Sequence, residues 1–212
     1  LRGLREAFES RRLFVVYQPQ VSLADGRTIA AEALLRWRTD DGSFVPPDRF
    51  IPLAEHSRLI VPIGEFVLRT ACHQLKRLND QGFTGFRMSA NVSQAQFRSP
   101  GFLDMVARAL RETGADPKHV ELEITESMAT EDFEFMLDVL ADVKRTGVTV
   151  AIDDFGTGFS SLSMLRQLHV DRLKIDRTFV QQMGQQEGSG NFASMMVDLG
   201  RGLGIRVIAE GV

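Results

Sequence analysis

Two adjacent carboxylates, Asp153 and Asp154, end an apolar, β-branched run (Val148, Val150, Ile152) and are followed by Gly156-Thr157-Gly158. The run reads as a short buried strand. The glycines read as a turn, and Ser160-Ser161 as the N-cap of the next helix. Two ionised carboxylates side by side repel each other, so either one is protonated or positive charge stands between them. A hard divalent cation, which takes oxygen ligands, would supply that charge. The simpler alternative for an isolated pair is that one Asp caps the following helix and the other is solvated.

The weight of the pair depends on the elements around it. The spacing predicts strands over Leu13–Leu23, Thr28–Trp37, Arg87–Val92, His119–Thr125, Val148–Asp153, Val170–Ile175 and Ile205–Glu210. Helical patterns fall over Leu1–Arg12, Pro47–Leu59, Val61–Gln81, Gly101–Thr113, Asp132–Thr146, Ser160–Leu168 and Phe192–Leu203, with a loop at Gly188–Gly190. Asp25-Gly26 between the first two strands is a hairpin signal, so those two should be antiparallel. The later alternation of strand and helix implies a parallel sheet. Seven strands in this rhythm suggest an α/β protein: a modified TIM (β/α) barrel with an antiparallel first strand, truncated before its last strand and helix. A doubly wound open sheet is the rival.

In such a barrel the active site lies at the C-terminal ends of the strands. The residues that fall there are Gln18, then Glu32 with Arg36 on the same face by period two, Asn91, Glu123 with Glu126 just beyond, Asp153 and Asp154, Lys174, and Glu210. Parity lets Glu32, Glu123 and Asp153 all point inward. Each has an ordinary alternative. Glu123 and Lys174 could form an ion pair inside the barrel, Asn91 could begin a turn, and Arg36 could be a surface residue. Gln18 could be hydrogen-bonded internally, and Glu210 could be an exposed strand end. Together they are harder to explain that way. Burying unpartnered carboxylates costs several kcal/mol per ion, and one Lys with one Arg cannot neutralise the five acids Glu32, Glu123, Asp153, Asp154 and Glu210. An oxygen-rich set suits Mg²⁺ or Mn²⁺ rather than zinc. Two acids able to bridge suggest two ions, an arrangement used for in-line attack on phosphodiesters.

Bulk properties narrow the classes. The 212 residues are 43% hydrophobic and 25% charged, ordinary for a globular chain. A formal charge of −3 gives no sign of a nucleic-acid polymer surface. The single Cys72 excludes an internal disulfide and a cysteine-based zinc site. No apolar run reaches membrane-spanning length and no signal peptide is visible, so a cytoplasmic setting is expected, or the cytoplasmic part of a membrane-anchored sensor. The chain begins without Met and stops at Ala209-Glu210-Gly211-Val212. It therefore reads as one domain, residues 1–212, incomplete at its C-terminus and cut from a longer protein.

Glu32-Ala33-Leu34, followed by Leu35-Arg36, resembles the signature of the EAL domain, the bacterial phosphodiesterase of cyclic di-GMP. Asn91 in SANVS, Glu123–Ser127 (EITES), Asp153–Gly158 (DDFGTG), Lys174 in LKID and Glu210 in AEGV extend the resemblance in order along nearly the whole chain. It implies that Glu32, Asn91, Glu123 and Asp153 bind a first metal, and that Asp153 and Asp154 bind a second, with Glu210 assisting. Lys174 would contact the nucleophilic water. Gln18, Leu35 and Arg36 would bind substrate, Arg36 on a phosphate. Glu126 would hold the loop Phe155–Ser161. The implied reaction is Mg²⁺- or Mn²⁺-dependent hydrolysis of one phosphodiester bond of cyclic di-GMP to linear pGpG, with Ca²⁺ inhibiting. A homodimer and an upstream sensor or diguanylate cyclase-like domain are the partners implied.

The chain ends before the acid that usually follows Glu-Gly-Val in the family, and before a glutamine near the water. Two other functions compete. One is an inactive EAL domain that binds cyclic di-GMP as a sensor, although every metal ligand within the chain is present. The other is a dinucleotide-binding oxidoreductase built on Gly156-Thr157-Gly158, with Asp176 downstream. There the third glycine position of the fingerprint is Ser161, and Asp153 and Asp154 would face a pyrophosphate with no cation.

Overall fold

A computed structural model describes residues 2–157, 162–181 and 190–212. The chain forms two compact units, Leu1–Glu121 and Leu122–Val212. The expected N-cap Ser160-Ser161, the turn glycine Gly158 and most of the Gly188–Gly190 loop lie outside the described residues.

In the first unit, α1 (Arg2–Glu9) buries Leu4 and Ala7 and leads into β1 (Leu13–Val21). β2 (Thr28–Arg38) returns antiparallel, as the Asp25-Gly26 signal predicts, and pairs Gln18 with Glu32. The connection is longer than a two-residue hairpin. Ser22 N–H donates to Arg27 O and Gly26 N–H to Ser22 O, with Gly26 in the left-handed region at φ 70°. A two-residue strand, β3 (Phe44–Val45), adds antiparallel to the end of β2 and is too short to show in a sequence pattern. α2 (Pro47–His56) starts at a proline, where the missing N–H is one the helix would not use.

The longest helix, α3 (Ile60–Asp80), buries Ile63, Val67, Leu68, Ala71, Cys72 and Leu75, a stripe at three- and four-residue spacing. β4 (Arg87–Asn91) lies parallel to β2, with Glu32 opposite Ser89. α4 (Gln94–Phe97) and α5 (Phe102–Thr113) follow; α5 runs between the left-handed Gly101 and Gly114. Arg87, at the opposite end of β4 from Asn91, donates to Gln20 Oε1 (2.8 Å) and to the fully buried Glu121 (3.2 Å). Polar residues on alternate positions of these strands thus serve structure at one end and leave Glu32 and Asn91 at the other.

β5 (Val120–Thr125) begins in the first unit and continues into the second. There α6 (Glu126–Glu131), α7 (Phe133–Arg145), β6 (Thr149–Phe155), α8 (Leu162–Leu168), β7 (Arg172–Ile175), α9 (Arg177–Gln181), α10 (Gly190–Leu203) and β8 (Arg206–Ala209) follow. The strands run in the order β5-β6-β7-β8, with β6, β7 and β8 parallel. Their apolar positions, among them Leu122, Ile124, Val150, Ile152, Leu173 and Ile175, are buried. β6 extends two residues beyond Asp153, and its register with β7 shifts between Ile152 and Phe155. This irregularity carries the two aspartates.

Candidate metal and phosphodiester site

The first unit brings two of the expected residues together. Asn91 closes β4 and its Nδ2 donates to Glu32 Oε1 at 2.7 Å. With its amide nitrogen so engaged, Asn91 offers its carbonyl oxygen as the atom able to accept or ligate. Gln18 is exposed beside Glu32 on β1, and Leu35 is buried on β2. Arg36 is half-buried and donates from Nη1 to the carbonyl of Leu35 at 2.8 Å. This bond holds the base of its guanidinium against the strand.

The second unit gathers three more acids around one cation. Lys174 on β7 is 1% exposed. Its Nζ lies 2.7 Å from Glu123 Oε2, 3.0 Å from Asp153 Oδ2 and 2.8 Å from Glu210 Oε1. These acids come from β5, β6 and the end of β8, so the parallel order of the strands makes the cluster. The positive partner expected beside Asp153 is therefore, in part, a side chain. Glu123 and Asp153 also present carboxylate oxygens within 4.8 Å of each other, close enough to share a metal ion.

Asp154 behaves differently from its neighbour. It is exposed, and its backbone is left-handed at φ 55°. Its own N–H donates to Asp153 Oδ1 at 2.9 Å. The bulged, left-handed backbone thus turns two consecutive carboxylates apart, one into the Lys174 cluster and one toward solvent. Glu126, 2% exposed at the start of α6, accepts from the Gly156 N–H at 2.9 Å. It ties the chain two residues past Asp154 to the element that follows β5.

A positioning element went unseen in the sequence. α9 follows Lys174 and is too short for a periodic signal. A Cβ on Gly156 would lie 2.9 Å from Phe179 Cε2 and 3.1 Å from Phe192 Cε1, and those two rings pack with centroids 4.5 Å apart, tilted by 34°. A Cβ on Gly211 would lie 2.7 Å from Arg177 Cβ. The chain just past Asp154 and just past Glu210 therefore packs against α9 or its aromatic partner. The signal that could have revealed this is a glycine within two residues of each acid.

The sequence profile of the EAL domain matches residues 1–212. This chain belongs to the EAL domain family. This EAL domain is 42% identical over 212 residues to the bifunctional diguanylate cyclase/cyclic di-GMP phosphodiesterase MucR of Pseudomonas aeruginosa, covering 100% of this chain and 31% of MucR. It is 36% identical to the cyclic di-GMP phosphodiesterase NbdA of the same organism, covering 99% of this chain and 27% of NbdA. It thus spans about a third or less of the length of these curated relatives. Among solved structures it resembles the MucR phosphodiesterase in complex with c-di-GMP, at a TM-score of 0.95 and 41% identity over 100% of this chain and 85% of that one. The EAL enzyme Bd1971 in its cGMP-bound form gives 0.92 and 32% over 100% of this chain and 59% of that one. These likenesses carry the fold class read from the sequence, the modified α/β barrel of EAL domains. Among the described residues, no helix is long and apolar enough to cross a membrane.

Proposed function

We propose that this EAL domain hydrolyses one phosphodiester bond of cyclic di-GMP to linear pGpG in a metal-dependent reaction. The observation that carries the proposal is the Lys174 cluster, three carboxylates within 3.0 Å of one buried ammonium, in a chain whose relatives are named for this activity. Within that group of four, three negative charges face one positive charge. A divalent cation bound to oxygen ligands offsets such an excess. The donor set is carboxylate and amide oxygen with no thiolate or imidazole, which fits Mg²⁺ or Mn²⁺.

Glu32, Asn91, Glu123 and Asp153 are proposed to hold one ion. Asp153 and Asp154 are proposed to hold a second, with Glu210 assisting. When bound, the ions supply a water of lowered pKa and charge stabilisation at the phosphate. The protein's own groups do the rest. Lys174, surrounded by carboxylates, stays protonated and orients the attacking water rather than removing its proton. Arg36, with Leu35 and Gln18, receives the substrate, and its guanidinium takes the phosphate oxygens on which charge accumulates. Glu126 keeps the chain at Gly156, and with it Asp154, in place.

The homodimer, the cytoplasmic setting and the single-domain reading of residues 1–212 belong to this proposal, as does an upstream sensor or cyclase-like domain. The test is product analysis with Mn²⁺, Mg²⁺ and Ca²⁺. Linear pGpG is expected with Mn²⁺ or Mg²⁺ and little with Ca²⁺, whose longer and looser coordination suits the geometry poorly. Cyclic di-GMP bound but uncut under all three ions would assign the chain to the sensors.

A further inference from the structure

Gly64 lies in the interior of α3, a position where glycine weakens a helix relative to alanine. The space its missing side chain leaves is taken by Gln96. A Cβ on Gly64 would fall 1.9 Å from Gln96 Nε2, 2.4 Å from Cδ and 2.7 Å from Oε1. An added methyl would therefore displace the Gln96 carboxamide from this place.

Gln96 is 3% exposed and occupies the third position of α4. Its Oε1 accepts from the Ser93 N–H and from the Ser93 hydroxyl, each at 3.1 Å. Its own N–H donates back to Ser93 Oγ at 3.4 Å. This reciprocal cap closes the turn that starts directly after Asn91, with only the buried Val92 between. The β2–β4 pairing fixes β4 as far as Ala90, opposite Ala33. Asn91 is the last residue of β4, one position beyond that pairing, and the capped turn follows it.

We propose that Gly64, Gln96 and Ser93 are positioning residues for Asn91. They hold its side-chain amide on Glu32 and so aim its carbonyl oxygen at the metal. The metal half of this inference rests on the function proposed above; the placement of Asn91 on Glu32 does not. Partners that orient a metal ligand typically change affinity 10- to 100-fold when removed.

The test compares the unsubstituted protein with Ser93→Ala, Ser93→Thr and Gly64→Ala. Free Mn²⁺ is titrated by electron paramagnetic resonance, and the Asn91 side-chain amide is followed by NMR in the metal-free protein. Ser93→Ala and Gly64→Ala are expected to weaken Mn²⁺ binding by about 10-fold or more and to shift the Asn91 amide resonances. Ser93→Thr keeps the hydroxyl and should retain both. Thermal unfolding reports whether each variant is folded, and Ser93→Ala decides the matter if Gly64→Ala is not. A folded Ser93→Ala protein with unchanged Mn²⁺ affinity and unchanged Asn91 resonances would overturn the inference. If the unsubstituted protein binds no Mn²⁺, the metal reading fails, and the Asn91 resonances alone decide the positioning.

Discussion

Lys174 Nζ stands 2.7 Å from Glu123 Oε2, and neither side chain keeps more than 1% of its accessible surface. A buried pair of this kind is weak evidence for stability while intact, but removing one partner strands the other. Lys174→Met is therefore expected to cost about 3–5 kcal/mol. Urea unfolding in the presence of EDTA measures it. A midpoint and slope equal to those of the unsubstituted protein would mean that the ammonium is not what makes Glu123 tolerable.

Asp154 is exposed yet left-handed at φ 55°. Asn visits that region readily, and a β-branched residue does not. Asp154→Asn should unfold within about 0.5 kcal/mol of the unsubstituted protein, and Asp154→Val about 1–2 kcal/mol lower. Both should lose turnover, because both lose the proposed ligand. Equal stability of the two variants would show that the backbone at this position carries no strain.

Gly156 combines φ 103° with a 2.9 Å approach to Phe179. Gly156→Ala is expected to destabilise by about 1–3 kcal/mol. Phe179→Leu should recover the steric share of that loss, so the double variant should fall short of the sum of the single effects. Strict additivity in denaturant unfolding would contradict the packing of this turn against the ring.

Much of this arrangement was legible in the sequence because the strands are marked by apolar, β-branched runs and end in polar residues. Asn91, Asp153 and Glu210 follow from such an ending, and Glu32, Glu123 and Lys174 from polar residues set inside apolar strands. The antiparallel start follows from Asp25-Gly26. The short elements were not legible. β3, α4, α6 and α9 have two, four, six and five residues, fewer than a hydrophobic period needs to repeat convincingly. The opposite fates of Asp153 and Asp154 were also hidden, since a bulge and a left-handed residue leave no mark on an alternating pattern. Gln96 reads as an ordinary polar residue until its contact with Gly64, 32 positions away, is seen.

Burial pushes the Cys72 thiol up to about 12. A folded-state value above the ordinary thiol range of about 8.5 means that the protonated form is favoured by folding. That contribution is complete below the unfolded value and is lost as pH rises toward the folded one. Stability should therefore decline between about pH 8.5 and pH 12. At pH 8 a disulfide reagent should label Cys72 slowly in the native protein and rapidly in guanidinium. Fast labelling of the native protein would place the thiol outside the core.

The proposed metal-dependent cleavage is tested most directly by chromatographic identification of the product from cyclic di-GMP. The comparison is the unsubstituted protein and Glu32→Ala, with Mn²⁺ and with EDTA. The expected result is linear pGpG from the unsubstituted protein with Mn²⁺ alone, and none from Glu32→Ala. Cyclic di-GMP left intact by the unsubstituted protein with Mn²⁺, or equal turnover by Glu32→Ala, would contradict it.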